Sequence, residues 1–208
     1  MKTLRELLET LPVINLRPSE LHMTREESMI TTLLGSCVAV CLYSRSLNAG
    51  AMCHCLLPYY HKVKAEDKPQ EIFKYVNTSV AHMVEMLTNE YKIPRWHFKA
   101  KIFGGARVLE NKAGSWRDEQ AIGNKNIEAA RASLHKHGIE IAFEKVGGDS
   151  GYKIFFHSPV GDVFIRPVPV SQFSDAQTRN RLDNTGTKSP GTLFQANMMA
   201  ANKILGLA

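Results

Sequence analysis

Apolar positions along this chain follow two rhythms, one of period near 3.6 and one of period 2. In MKTLRELLETLPVINL, Leu4, Leu7, Leu8 and Leu11 recur at helical spacing while Glu6 and Glu9 interrupt the apolar run, which predicts a short amphipathic helix ended by Pro12. From Met29 to Leu57 the chain is rich in Val, Leu, Cys and Ala and is punctuated by Gly35 and by the polar turn SRSLN at 44–48. Two adjacent strands joined by that turn are predicted. Residues 59–70 are polar and read as a loop. Asp67 as cap and Pro69 near the first turn then open a helix whose stripe runs through Ile72, Val76, Val80, Met83, Val84 and Leu87 to Asn89.

FKAKIFGG, residues 98–105, alternates and then breaks at a glycine pair, which predicts a strand entering a tight turn. After the polar insert NKAGSWRDEQ, Ile127, Ala130 and Leu134 mark a second helix that stops at Gly138. Strands are predicted over 139–146, 152–157 and 161–168, separated by GGDSG and by a turn at 158–161. Beyond Val170 the composition turns polar, as a linker does, and a weak stripe through Leu193, Ala200, Ala201 and Ile204 suggests a closing helix. The expected organisation is an N-terminal helix and lead-in at 1–27, an α+β domain with several strands and two principal helices at 28–170, and a linker and tail at 171–208.

The 208 residues, 44% hydrophobic and 22% charged, suffice for one well-buried core. The apolar runs are too short for a membrane span and the first segment is no secretory signal, so a cytoplasmic protein without membrane insertion is expected. The formal charge of +6, from 26 Lys and Arg against 20 Asp and Glu, is scattered along the chain. Nucleic-acid binding is therefore not expected.

The four cysteines, Cys37, Cys41, Cys53 and Cys55, should be free thiols in that compartment. Neither C-x-x-x-C nor C-H-C has the paired spacing of a zinc ribbon. On a strand Cys37 and Cys41 would lie about 13 Å apart at roughly 3.3 Å per residue, too far to share one ion. Burial as a small hydrophobe suits Cys41, Cys53 and Cys55. Cys37 differs because it follows Leu34, Gly35 and Ser36, at the mouth of a strand after a sharp turn. A nucleophile there requires a base and a thiol pKa lowered towards neutrality. His54 is the candidate base, since its strand should neighbour that of Cys37; His61 and His82 are weaker candidates. Thr31 or Thr32 could orient the imidazole, and facing opposite ways on a strand, only one of them would serve.

TTLLGSCVAVCLY at 31–43, GAMCHCLLP at 50–58, KIFGGARVL at 101–109, AIGNKN at 121–126 and a later glycine pair before a strand pair together resemble the CheD family of chemoreceptor glutamine deamidases. The resemblance runs from about residue 28 to 170. It implies a layered, sandwich-like arrangement of mixed sheets of the cysteine-hydrolase deamidase type, related in fold to the cytotoxic necrotizing factor deamidases. It also implies Cys37, His54 and Thr31 as catalytic residues and Gly35, Ser36, Gly104 and Gly105 as substrate- or oxyanion-binding backbone. No metal or other cofactor is implied. Chemotaxis receptors are the implied partners, with the CheC phosphatase where a cell has it. Lys125, Lys145 and Tyr152 stand where relatives commonly carry Arg, Asp and Arg. The rival expectations are a noncatalytic adaptor that binds receptors or CheC, and a metal or redox module built on the cysteines.

Overall fold

The computed structural model describes residues 2–61, 68–107 and 116–168. The linker and tail expected over 171–208, with the closing helix, lie outside these residues. In chain order the elements are α1 (Leu4–Thr10), β1 (Val13–Asn15), β2 (Leu21–Thr24), β3 (Ser28–Leu34), β4 (Val38–Ser44), β5 (Ala49–Cys55), α2 (Pro69–Ile72), α3 (Val76–Asn89), β6 (Lys99–Gly104), α4 (Trp116–Lys136), β7 (Glu140–Val146), β8 (Gly151–Ser158) and β9 (Asp162–Val168). The strands form two sheets, ordered β1-β3-β8-β9 and β2-β5-β4-β6-β7. β1 with β3 and β6 with β7 are parallel, and the other pairs are antiparallel. The fold is α+β. Among the described residues no helix is long and apolar enough to cross a membrane.

Period-2 alternation sorts the side chains into layers. Ala51, Cys53 and Cys55 of β5 pack with Val38 and Val40 of β4 against Val80, Met83 and Leu87 of α3 and Ala130 and Leu134 of α4. The opposite face carries Met52, Ala39 and Cys41, which meet Ile30, Leu34, Ile154 and Phe156 of the first sheet. On the outer side of that first sheet, Leu7 of α1 covers Met29 and Phe155. Each fully buried Val, Leu, Ile, Met or Phe among them contributes roughly 1.5–3 kcal/mol, so the two sheets are held face to face by the middle layer. α1 opens with a capping box in which Thr3 and Glu6 satisfy each other's backbone N–H groups.

Three departures from the sequence expectations bear on function. The apolar stretch from Met29 to Leu57 holds three strands, and the first two belong to different sheets, so Gly35-Ser36-Cys37 is the link that crosses between sheets. The single helix expected after Pro69 is two helices. Its interruption receives the end of β5: Lys74 O accepts from the N–H groups of Leu56 and Leu57, and Val76 N–H donates to Leu57 O. The lead-in at 13–24 also does more than connect, because it supplies β1 to one sheet and β2 to the other.

Candidate active site

The crossing link presents Cys37 just before β4, at the edge of the core between the sheets. It is partly exposed, whereas Cys41, Cys53 and Cys55 are buried. The link is fastened by backbone bonds. Ala106 N–H donates to Gly35 O at 2.8 Å, Gly105 N–H to Cys37 O at 2.8 Å, and Gly147 N–H to Gly104 O at 2.9 Å. Gly104 and Gly105 have φ of +102° and +71°, and a Cβ on Gly104 would stand 2.2 Å from Cys37 O. Only glycine allows that backbone to close against the link. The pair forms a wall, and the N–H of Gly105, expected as an oxyanion donor, is already committed to Cys37 O. The N–H of Cys37 lies against its own sulfur and favours the thiolate.

His54 stands opposite Ala39 in the β4–β5 ladder. Alternation places it on the face of Met52, towards the first sheet, and Cys37 comes two residues before Ala39 on the same face. Cys37 lies just outside the ladder, two residues before the partner of His54, and packs against the cluster of that face; diagonal neighbours inside a ladder stand about 7–8 Å apart. The backbone of His54 is clamped on both sides, its N–H donating to Glu20 O at 2.9 Å and its carbonyl accepting from Ser19 N–H at 2.9 Å. Its Nδ1 lies 2.7 Å from Thr32 Oγ1, and Thr32 Oγ1 donates to Leu16 O at 2.7 Å. A carbonyl only accepts, so the single hydroxyl proton goes to Leu16. Thr32 must then accept from Nδ1–H, which leaves the lone pair on Nε2. That atom is buried and has no hydrogen-bond partner.

Thr31, the threonine that the family resemblance assigned to the imidazole, instead donates to Ile154 O at 2.8 Å. Alternation accounts for the two contacts: Ile30 and Leu34 face the second sheet, so Thr32 does too and Thr31 faces away. His61 is exposed and stacks on Tyr59, and His82 packs on Phe73.

Burial sets the charge state of the pair. It pushes the Cys37 thiol up to about 11, opposed by its own N–H, and pushes the His54 imidazole down to about 4. The expectation of a lowered thiol pKa is not met, since enclosure between the sheets outweighs the backbone donor. At neutral pH both groups are uncharged. Cys41 shares this face and its thiol is also raised by burial, but it is sealed in the core. On the other face the Cys53 and Cys55 sulfurs lie 3.5 Å apart. Among the described residues no group of three His, Cys, Asp or Glu is placed to hold a metal.

Asn126 has no role in the sequence reading beyond its place in AIGNKN. It is fully buried on α4, and its Nδ2 donates to Ser36 O at 3.2 Å and to Leu56 O at 3.0 Å. The available signal was an amide four residues before Ala130, on the apolar stripe of that helix. Lys145 Nζ lies 5.3 Å over the ring of Tyr152, which pairs with Leu34 at the start of the link. Two of the three positions where the chain departs from the family pattern therefore touch beside the site.

A family model described as CheD chemotactic sensory transduction matches residues 56–167. The matched interval contains Gly104, Gly105 and Asn126 and begins after Cys37 and His54. The chain is 34% identical over 157 residues to a probable chemoreceptor glutamine deamidase CheD 2 from Geobacter sulfurreducens, covering 75% of this chain and 90% of that one. It is 30% identical over 159 residues to a probable chemoreceptor glutamine deamidase CheD from Maridesulfovibrio salexigens, covering 76% and 93%. Among solved structures, YlmD from Geobacillus stearothermophilus overlaps 68% of this chain and 62% of its own at 12% identity, with a TM-score of 0.41.

Proposed function

From the premise that this chain belongs to the CheD family, we propose that it is a chemoreceptor glutamine deamidase in which Cys37 is the nucleophile, His54 the general base and Thr32 a positioning residue. The observation that carries this reading is the relay from Leu16 through Thr32 to His54, which leaves an unprotonated Nε2 on the face that Cys37 shares.

With both groups neutral at rest, the proton moves from Cys37 Sγ to His54 Nε2 as sulfur bonds to the side-chain amide carbon of a receptor glutamine. A base so placed contributes about 10² to 10⁴ in rate. The amide oxygen becomes an oxyanion beside the N–H of Cys37; one such donor contributes about 2.7–4 kcal/mol. The C–N bond then breaks, ammonia leaves with the proton from Nε2, and a thioester remains. Water gives a proton to the same nitrogen as its oxygen attacks the thioester carbon. Sulfur departs, takes that proton back, and glutamate is left on the receptor.

Incubation of the full chain with a receptor cytoplasmic fragment, followed by ammonia assay and mass spectrometry of receptor peptides, tests the proposal. Matched ammonia release and Gln-to-Glu conversion are expected, with a loss of about 10⁴-fold or more in Cys37→Ala. An active Cys37→Ala protein overturns the nucleophile. A native protein that binds the fragment and releases no ammonia is an adaptor.

A further inference from the structure

We propose that Asn126 is a positioning residue of this reaction, holding the link that carries Cys37 against the end of the strand that carries His54. The inference rests on the deamidase reading and extends it to α4, whose AIGNKN segment has no part in the chemistry above.

Three contacts join α4 to the site. Asn126 Nδ2 spends one hydrogen on Ser36 O, directly before the nucleophile, and the other on Leu56 O, two residues after the base. Both acceptors are carbonyls, so the amide has one possible orientation. Three residues earlier, Gly123 sits so close to the glycine wall that a Cβ on it would stand 2.7 Å from Gly105 O. One residue later, Ile127 meets the same glycine, where a Cβ would lie 2.6 Å from Ile127 Cδ1 and 3.1 Å from Gly123 O. Gly105 in turn donates to Cys37 O. One turn of one helix thus holds the nucleophile link directly, at Ser36 O, and through Gly105, which donates to Cys37 O.

The remaining atom of the amide, Oδ1, is buried without a partner. An orphaned acceptor opposes stability, and an apolar side chain would fill the same space without it. What only the amide supplies is a two-pronged donor between Ser36 and Leu56. Asn126 is fully buried, so it acts on the reaction through the link and touches no substrate. Attack requires the sulfur to meet both the amide carbon and Nε2, and small displacements of such groups can cost about 10² in rate.

The test compares the full chain with Asn126→Ala in two measurements. In receptor deamidation, kcat is expected to fall roughly 10- to 100-fold with KM within about twofold. In alkylation by iodoacetamide at fixed pH, mapped by mass spectrometry, Cys37 is expected to react at least about threefold faster while Cys41, Cys53 and Cys55 stay protected, because the loosened link admits water to a sulfur that burial had protected. A residue that merely stabilises the fold would move neither kcat per folded molecule nor the selectivity of alkylation, and that result overturns the proposal. Should Asn126→Ala not fold, Asn126→Ser keeps one donor and is read by the same measurements, with an intermediate loss expected and an unchanged kcat overturning. If the unmodified chain deamidates nothing, the deamidase reading fails by itself. The alkylation pattern then still decides whether Asn126 holds the Cys37 link.

Discussion

Two buried histidines sit on opposite sides of the second sheet. His54 faces the first sheet from β5, and His82 lies on α3, which covers the other face. Burial lowers both imidazoles to about 4, and the Nε2 atom of each is buried without a hydrogen-bond partner. Titration alone would rank them equally. They differ in what surrounds the rest of the ring. His82 rests on Phe73 with centroids 4.9 Å apart, whereas His54 is held by its backbone between Ser19 and Glu20 and by Nδ1 on Thr32. A depressed pKa reports desolvation, which any buried imidazole experiences. A base is marked by a fixed tautomer and a lone pair aimed along the face of a nucleophile.

Removing each ring in turn should separate the two histidines by the widest margin. His54→Ala is expected to lower kcat for receptor deamidation by about 10² to 10⁴, while His82→Ala keeps kcat per folded molecule within about threefold and lowers the melting temperature. Equal losses of kcat in the two variants would mean that the relay at His54 has no catalytic meaning.

Acid should treat the two histidines alike, and this sharpens the distinction between burial and role. Each binds its proton in the folded state only near pH 4 but near 6.5 once unfolded. Between those values the unfolded chain holds more protons, so stability falls as pH falls. The contribution is complete above about pH 6.5, is lost progressively down to about 4, and is flat below. Each residue accounts for roughly 3 kcal/mol over that window. His22 and His137, also lowered by burial, add in the same direction. Urea midpoints measured from pH 7 to pH 4 should decline steeply, and His82→Phe should flatten the decline by about one histidine's share. An unchanged slope in His82→Phe would show that its imidazole is not buried neutral.

Much of this arrangement was legible in the sequence because it follows local periodicity. The strand patterns at 98–105, 139–146, 152–157 and 161–168 anticipated β6 to β9 within a residue or two, and the stop at Gly138, with φ of +68°, came where the second helix ends. The glycine before Cys37 and the alternation of His54 against Cys53 and Cys55 singled out the residues that now share a face. Long-range pairing was not legible. Met29 to Leu57 is continuous in apolar character, and nothing local says that β3 and β4 enter different sheets. The helix after Pro69 breaks because the end of β5, fourteen residues upstream of that proline, needs partners at Lys74 and Tyr75. The lead-in looked unremarkable since its function lies in backbone groups, such as the carbonyls of Leu16 and Glu20, which no side-chain pattern reveals. The direction of the thiol shift depended on enclosure between two sheets, and the turn suggested only the opposing donor.

The smallest predicted effect separates two adjacent threonines. Thr31 and Thr32 are both buried, and each hydroxyl donates to a backbone carbonyl, Ile154 O or Leu16 O. Replacement by valine keeps the shape and removes one such bond, worth about 0.5–1.5 kcal/mol to stability in either case. Only Thr32 also accepts from Nδ1–H of His54. Without that acceptor only the Leu16 carbonyl is left to hold the ring proton, and the fraction with a bare Nε2 falls. Thr32→Val is therefore expected to lower kcat roughly tenfold and to shift the ¹⁵N resonances of His54 towards the mixed-tautomer position, whereas Thr31→Val leaves both near the parent values. If Thr31→Val lowers kcat and alters the tautomer while Thr32→Val does neither, β3 turns its other face to β5 across the two sheets, and the threonine six positions before the cysteine, not five, orients the base.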